Sequence, residues 1–119
     1  MPTPAPAQSF ADLAQRYGSE LAYIARQGNG NTVPADPSAA TPDEFLQLAR
    51  DAHAFLDQCR YDNWAEAMED AADAVAAARQ ADGADELAIL LRRADKELRP
   101  LTYDAACEVA DALGDPHDF

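Results

Sequence analysis

The sequence predicts an all-α protein, a bundle of four to five antiparallel helices. Two observations come from composition: alanine supplies much of the 48% hydrophobic content, and aromatic residues make up only 8%. Alanine has the highest helix propensity, whereas β-sheets favour β-branched and aromatic residues. The third observation is that apolar residues recur three and four positions apart, between recognisable helix starts and stops. A chain of 119 residues has room for one such domain with a single modest core.

The chain is expected to divide into a disordered leader, one helical domain and a short tail. The leader, residues 1–8, is rich in Pro and Ala; the domain spans residues 9–114, and the tail spans residues 115–119. The leader lacks the basic and apolar regions of a secretion signal, and no stretch approaches the length of a membrane span. Cys59 and Cys107 lie within helical patterns without metal-type spacing. We therefore expect reduced, buried cysteines and a cytoplasmic protein.

The first predicted helix is followed by a long loop. The helix begins at Ser9, where Asp12 three residues later gives a start like a capping box, and it ends at Gly28. Its predicted inward residues are Phe10, Leu13, Ala14, Tyr17, Leu21 and Ile24. Residues 28–41 are rich in turn formers and have no periodicity, which is typical of a mobile or a functional loop.

The second and third predicted helices each begin with a polar cap and an acid three residues later. Thr41 and Glu44 start the second helix; Asn63 and Glu66 start the third, which runs to about Ala81. The predicted inward residues are Phe45, Leu48, Ala49, Ala52, Phe55, Leu56 and Cys59 in the second helix, and Trp64, Met68, Ala71 and Val75 in the third.

The fourth and fifth predicted helices complete the bundle. The fourth covers residues 84–99 and stops at Pro100; Thr102 caps the fifth, and Gly114 closes it. The predicted inward residues are Leu87, Leu90, Leu91, Ala94 and Leu98 in the fourth helix, and Ala106, Cys107, Val109, Ala110 and Leu113 in the fifth. Short connections after residue 60 predict antiparallel neighbours.

The charge of the chain restricts its partners. The formal net charge is −13, from 22 acids and nine bases. A nucleic-acid-binding protein needs a basic footprint, and an anionic membrane repels an acidic protein, so we expect direct binding to neither. The acids concentrate in residues 41–86, which carry twelve acids against three arginines. The expected partner is therefore a basic protein.

The third predicted helix carries most of its acids on one side. At 100° per residue, an arc of about 100° opposite the apolar side contains Glu66, Glu69, Asp70 and Asp73. Asp62 directly precedes the predicted helix, and no Lys or Arg stands where it would pair with these acids along the helix. We take the five carboxylates as candidate partner-binding residues. The alternative is a solvated face that serves only solubility.

The overall profile of the chain resembles a known class of inhibitors. In size, acidity, helicity and absence of a catalytic motif, the chain is similar to small phage-borne inhibitors, among them anti-CRISPR and DNA-mimic proteins. The class has no shared motif, so no particular residue carries the resemblance. It implies a non-enzymatic inhibitor that occupies the basic, nucleic-acid-binding surface of a partner such as a CRISPR or other defence effector. A toxin-immunity or chaperone-type partner protein is the alternative among binding proteins.

An enzymatic alternative rests on two carboxylate pairs, Glu66-x-x-Glu69 and Glu108-x-x-Asp111. They resemble the pairs that hold Mg²⁺ against a triphosphate in all-α nucleotide pyrophosphohydrolases of the MazG/dUTPase type, and carboxylates are suitable ligands for this ion. Two departures disfavour the resemblance: the 38 residues between the pairs contain a whole additional helix, and no double glutamate precedes Glu66. We therefore predict no enzymatic activity, no cofactor and no metal site.

The densest bases lie in LLRRADKELR, residues 90–99. They are Arg92, Arg93, Lys96 and Arg99, and their position in the second half of a helix suits the helix dipole. We expect them to pair with acids on the third or fifth helix. The alternative is contact with the acidic helix of a second copy, which would build a homodimer.

Overall fold

The computed structural model describes residues 8–29, 33–117 and 119, and over these residues the protein is all-α, as predicted. The helices are α1 (Phe10–Asn29), α2 (Pro42–Gln58), α3 (Asp62–Arg79), α4 (Ala84–Leu98) and α5 (Thr102–Leu113), with a short 3₁₀-helix at Pro37–Ala39. Residues 1–7 of the predicted leader and residues 30–32 of the predicted loop lie outside the described residues.

Four of the helices form a bundle in chain order. α1 packs on α2, α2 on α3 and α3 on α4, while α4 makes a smaller contact back to α1; α5 packs mainly on α1. Short connections join α2 to α3 and α3 to α4, so these neighbours run antiparallel. None of the helices in the described part of the chain has the length and apolar character needed to cross a membrane.

One apolar core runs through the bundle, and alanine occupies core positions on every helix. Most of the predicted inward residues are buried; those that are only half-buried are Phe10, Phe55, Trp64, Leu87, Leu90 and Cys107. Two predictions are wrong. Leu113 is 52% exposed because it is the last residue of α5. Cys59 is exposed because α2 ends at Gln58, so that Cys59 lies in the turn after the helix. Both cysteines are free, as predicted.

Some of the predicted helix starts agree with the structure and others do not. Thr41 forms a full capping box with Glu44, and Oγ of Ser9 accepts a hydrogen bond from the Asp12 backbone. The predicted cap of α3, Asn63, is wrong: it lies inside the helix, two residues after the actual N-cap Tyr61, which makes no side-chain cap. Thr102 does not cap α5: it is buried, and its hydroxyl donates to the Leu98 carbonyl, because the turn after α4 is tight.

A buried carboxylate joins α4 to α1. Asp95 is 1% exposed, and it accepts hydrogen bonds from Tyr17 at 2.5 Å, Arg16 at 3.2 Å and Arg99 at 2.5 Å. Burial on its own raises the pKa of Asp95, but the hydrogen bonds from Tyr17 and Arg16 and the charge of Arg99 outweigh burial and lower that pKa. Burial and the hydrogen bond to Asp95 raise the pKa of Tyr17. The carboxylate is therefore held ionised between satisfied partners.

The 3₁₀-helix is fitted closely against α1 at a glycine. Gly18 is buried, and a Cβ at this position would lie 2.2 Å from the carbonyl oxygen of Pro37. Ala40, which follows the 3₁₀-helix, is also buried. Part of the predicted 28–41 loop is thus packed against the bundle, and Gly28 belongs to α1 rather than to the loop.

The last residues fold back onto α1 and α5. The ring of Phe119 lies 4.9 Å from the ring of Tyr23 and 6.0 Å from that of Tyr103. The hydroxyl of Tyr23 donates to Asp115 at 2.7 Å, and burial together with this hydrogen bond raises the pKa of Tyr23 to about 12. The predicted tail therefore contacts the helical domain.

The Asp95 network yields a prediction about stability and pH. We expect Asp95→Asn to lower the free energy of unfolding at neutral pH by about 2 kcal/mol, because two arginines and a tyrosine lose their shared acceptor. Since the pKa of Asp95 is lowered on folding, its contribution is complete above the ordinary value of 3.8 and is lost as pH falls through the folded value. Urea unfolding at pH 7 and at a series of acidic pH values measures both effects. The exposed Asp73→Asn is the control and should change stability by less than about 0.5 kcal/mol; equal effects of the two variants would contradict the prediction.

The contact at Gly18 yields a second prediction. We expect Gly18→Ala to destabilise the protein by about 1–3 kcal/mol, because the new Cβ must displace backbone that cannot give way cheaply, although alanine favours helix by about 1 kcal/mol. Gly28→Ala is the matched control, since its Cβ would meet Phe55 at an ordinary 3.4 Å and should leave stability equal or higher. Thermal unfolding followed by circular dichroism compares the two. If Gly18→Ala proves as stable as Gly28→Ala, the close packing of the 3₁₀-helix is wrong.

Candidate functional site

The five candidate partner-binding residues lie together on α3, and all are exposed. Asp62 is the first residue of the helix, and the others follow over the next three turns: Glu66, Glu69, Asp70 and Asp73. No ion pair joins any of the five to another described residue. We call these five residues the acidic face of α3.

The acidic face points to solvent because the other side of α3 fills the bundle. The buried residues of the helix are Ala65, Met68, Ala71, Ala72, Ala74, Val75 and Ala78, and α3 packs on both α2 and α4. A hydrogen bond from Nδ1 of His53 on α2 to the Ala65 carbonyl, at 2.8 Å, adds a polar tie. Two packed neighbours therefore fix the direction in which the carboxylates point.

The electrostatics of the acidic face follow from helix spacing. Side chains three and four residues apart lie about 5–6 Å from one another at Cβ, so the unpaired acids repel within the helix. Asp62 lies in the first turn, where the helix dipole favours a negative charge. The remaining carboxylates together make a strip of negative potential that attracts basic groups from a distance.

An apolar groove lies beside the acidic face, between the start of α3 and the end of α4. Its volume is ≈ 450 Å³, which is within the range of ligand-binding pockets. Its lining consists of Asn63, Trp64, Ala67, Lys96, Glu97, Pro100 and Leu101. Trp64 is the single tryptophan of the chain, and it is half-buried in this groove rather than fully inward as predicted. We call this cavity the α3/α4 groove; the sequence analysis missed it because it is formed jointly by two helices.

The α4 side of the groove is lined by Lys96 and Glu97, and Lys96 belongs to a basic face of that helix. Four exposed residues of α4, at spacings of three and four, share one face: Ile89, Arg92, Arg93 and Lys96. Ile89 is 63% exposed, and none of the three bases forms an ion pair with a described residue. The expected pairing with the third or fifth helix is therefore wrong. Arg99, at the C-cap of α4, pairs instead with Asp95 of that helix. We call Ile89 and these three bases the basic face of α4.

The two carboxylate pairs of the enzymatic alternative lie on helices that do not pack extensively against each other. Glu66 and Glu69 are on α3, which packs on α2 and α4, whereas Glu108 and Asp111 are on α5, which packs mainly on α1. Asp111 is also engaged by His117, whose Nε2 lies 2.6 Å from its carboxylate. Within the described residues, no three His, Cys, Asp or Glu side chains are grouped to hold a metal ion.

The site thus combines an acidic strip, an apolar groove and a basic strip on two neighbouring helices. Such a surface is suited to binding another macromolecule by charge and by a desolvated centre. Comparison with protein-family models, with curated proteins and with solved structures finds no match to this chain.

Proposed function

We propose that this chain is a non-enzymatic binding protein whose acidic face of α3 occupies a basic, nucleic-acid-binding surface of a partner protein. A CRISPR effector or another defence effector is the kind of partner that has such a surface, and the chain would act as its inhibitor. The observation that carries the proposal is the group of five exposed carboxylates on one helix, none of them in an ion pair with a described residue.

The spacing of the carboxylates supports imitation of a nucleic acid. Negative charges about 5–6 Å apart along a helix are comparable in spacing to the phosphates of one DNA strand. A groove that binds phosphates with Lys and Arg would meet the same sign of charge at similar intervals on α3. Because α3 is held between α2 and α4, little ordering is needed on binding, and a preorganised surface binds at lower entropic cost.

A binding role is also supported by the placement of the other acids. The carboxylate pairs that a Mg²⁺-dependent hydrolase would bring together are on α3 and α5, which pack on different neighbours. In the proposed function α3 contributes charge rather than chemistry, without a cofactor or a metal.

The acidic face should control the rate of association. We expect the variant Glu66→Lys, Glu69→Lys, Asp70→Lys and Asp73→Lys to associate with the partner at least about tenfold more slowly at low salt, with a flatter salt dependence, because surface charge mainly sets the encounter rate. The partner is first captured from a lysate of the source at low salt, eluted by salt, identified and purified. Association is then measured at two ionic strengths, together with competition between this protein and DNA or RNA for the partner.

A control of equal charge isolates the position of the acids. Each acid-to-lysine change adds two charges, so four changes bring the net charge from −13 to −5 wherever they are made. The control reverses four other exposed acids: Asp57, Asp82, Asp104 and Glu108. It should keep the wild-type rate far better than the α3 variant does. Equal association rates for the two variants would mean that the acidic face is only a solvated surface. A captured partner that has no nucleic-acid-binding surface would favour the toxin-immunity alternative.

The enzymatic alternative has a separate test. With Mg²⁺ and a panel of nucleoside triphosphates, we expect the release of phosphate and pyrophosphate to equal that of Glu66→Gln and of a blank without protein. The physical reason is that the two carboxylate pairs do not lie on packed neighbours. Release above the Glu66→Gln control would overturn the non-enzymatic assignment.

A further inference from the structure

The acidic face of α3 and the basic face of α4 lie on the two helices that form the α3/α4 groove, whose α4 side is lined by Lys96 and Glu97. Neither face pairs its charges with described residues of its own chain. Between them, the groove presents the half-buried Trp64 with Ala67, Pro100 and Leu101, and Ile89 adds an exposed apolar side chain among the bases. The surface therefore contains both halves of a charge-complementary contact and an apolar centre.

We propose that a second copy of this chain covers this surface, in a two-fold dimer whose axis runs parallel to α3 and α4. In such an isologous contact the same patch is used by both copies. The acidic face of each copy then lies on the basic face of the other, and the two grooves meet at the axis.

The charge pattern selects this arrangement over the other two-fold arrangement. Rotation about an axis parallel to the helices exchanges the two walls of the groove and keeps the height along them, so that acids meet bases. Rotation about an axis that crosses the helices in the same plane would stack acids on acids and bases on bases. Like-charge contacts of that kind disfavour an interface.

The heights of the charged residues also match. Ala67 and Lys96 line the same groove, and the two helices run antiparallel with the same rise per residue. Asp70 is three residues after Ala67 and Arg93 is three residues before Lys96, so these two stand at one level. In the dimer Asp70 faces Arg93 of the second copy, whereas Glu66 stands level with Glu97 and within one residue of Lys96 of the second copy.

A second copy fits the basic face better than a nucleic acid or an anionic membrane does. A chain with a net charge of −13 repels a nucleic acid, an anionic membrane and a second copy alike at long range, and salt screens exposed charges beyond about 8 Å at physiological ionic strength. Of the three, only a second copy also presents bases to the acidic face of α3. At contact, the local match of acids to bases then dominates. Trp64 and Ile89 supply the desolvated apolar contacts from which interfaces gain most of their affinity.

The dimer has a regulatory consequence for the proposed function. The second copy would cover the acidic face that engages the basic partner, so partner and second copy compete. This consequence rests on the proposed function; the dimer itself does not.

The test uses the chain itself and its opposite-charge variants. One variant carries Arg92→Glu, Arg93→Glu and Lys96→Glu, and the other carries Glu66→Lys, Asp70→Lys and Asp73→Lys. We expect the wild type to sediment at twice the 12.8 kDa of one chain at about 100 µM. Each variant alone should sediment as a monomer, and an equal mixture should restore the dimer, because reversed acids then meet reversed bases. The emission of Trp64 should shift to the blue as the wild type dimerises.

A charge-matched control and the overturning outcomes complete the test. Arg26→Glu, Arg50→Glu and Arg60→Glu reverse three exposed bases that do not line the groove and should leave the dimer intact. A monomeric wild type over the whole concentration range overturns the dimer, whatever the variants do, and leaves the proposed function standing. Dimers of both charge variants, or a mixture that stays monomeric, also overturn it. A dimer that binds no basic partner supports this inference while contradicting the proposed function.

Discussion

The buried carboxylate of Asp95 is the constraint on which the arrangement of α4 depends. In a four-helix bundle that packs in chain order, the fourth helix closes the bundle by packing on the first. Here the contact between α4 and α1 is small. The hydrogen bonds of Asp95 with Arg16 and Tyr17 on α1 join the two helices at this position. A buried charge needs its partners in place, so such a network disfavours every rotation of α4 that would separate them. With Asp95 turned toward α1, the remaining bases of α4 are directed to solvent, and the basic face follows from the closure of the bundle.

The packing of α3 depends on its many buried alanines. The buried side of α3 is alanine except for Met68 and Val75, so α3 can approach α2 and α4 closely. Because α3 has few large apolar side chains, its buried side is narrow. The exposed side is therefore wide enough to carry a row of carboxylates. The groove forms beside Trp64 and Ala67, where the packed alanines give way to a large ring and where α4 ends at the turn before Leu101.

Periodicity predicted the helices and most of the core because each depends on local spacing. It also predicted that the acids of α3 are exposed, since they lie opposite the apolar side. Asp95 was missed because it stands in a run of bases, although it is four residues after Leu91 and three before Leu98 and therefore falls on the inward side of α4. The turn that exposes Cys59 and the groove beside Trp64 depend on how two helices meet, which no single-helix pattern contains. That the acidic face binds a basic protein is still a proposal.

The distribution of charge, more than its amount, distinguishes a binding surface from a soluble one. A net charge of −13 would keep the protein soluble with acids and bases interspersed, and interspersed charges would add stabilising pairs along the helices. This chain instead groups five acids on α3 and three bases on α4, so each group repels internally by a few tenths of a kcal/mol per neighbouring pair. Grouping like charges in this way lowers the stability of the free protein. That loss is offset when a surface of opposite charge covers each face. A basic protein can do this for α3 alone, and a second copy can do it for both faces at once.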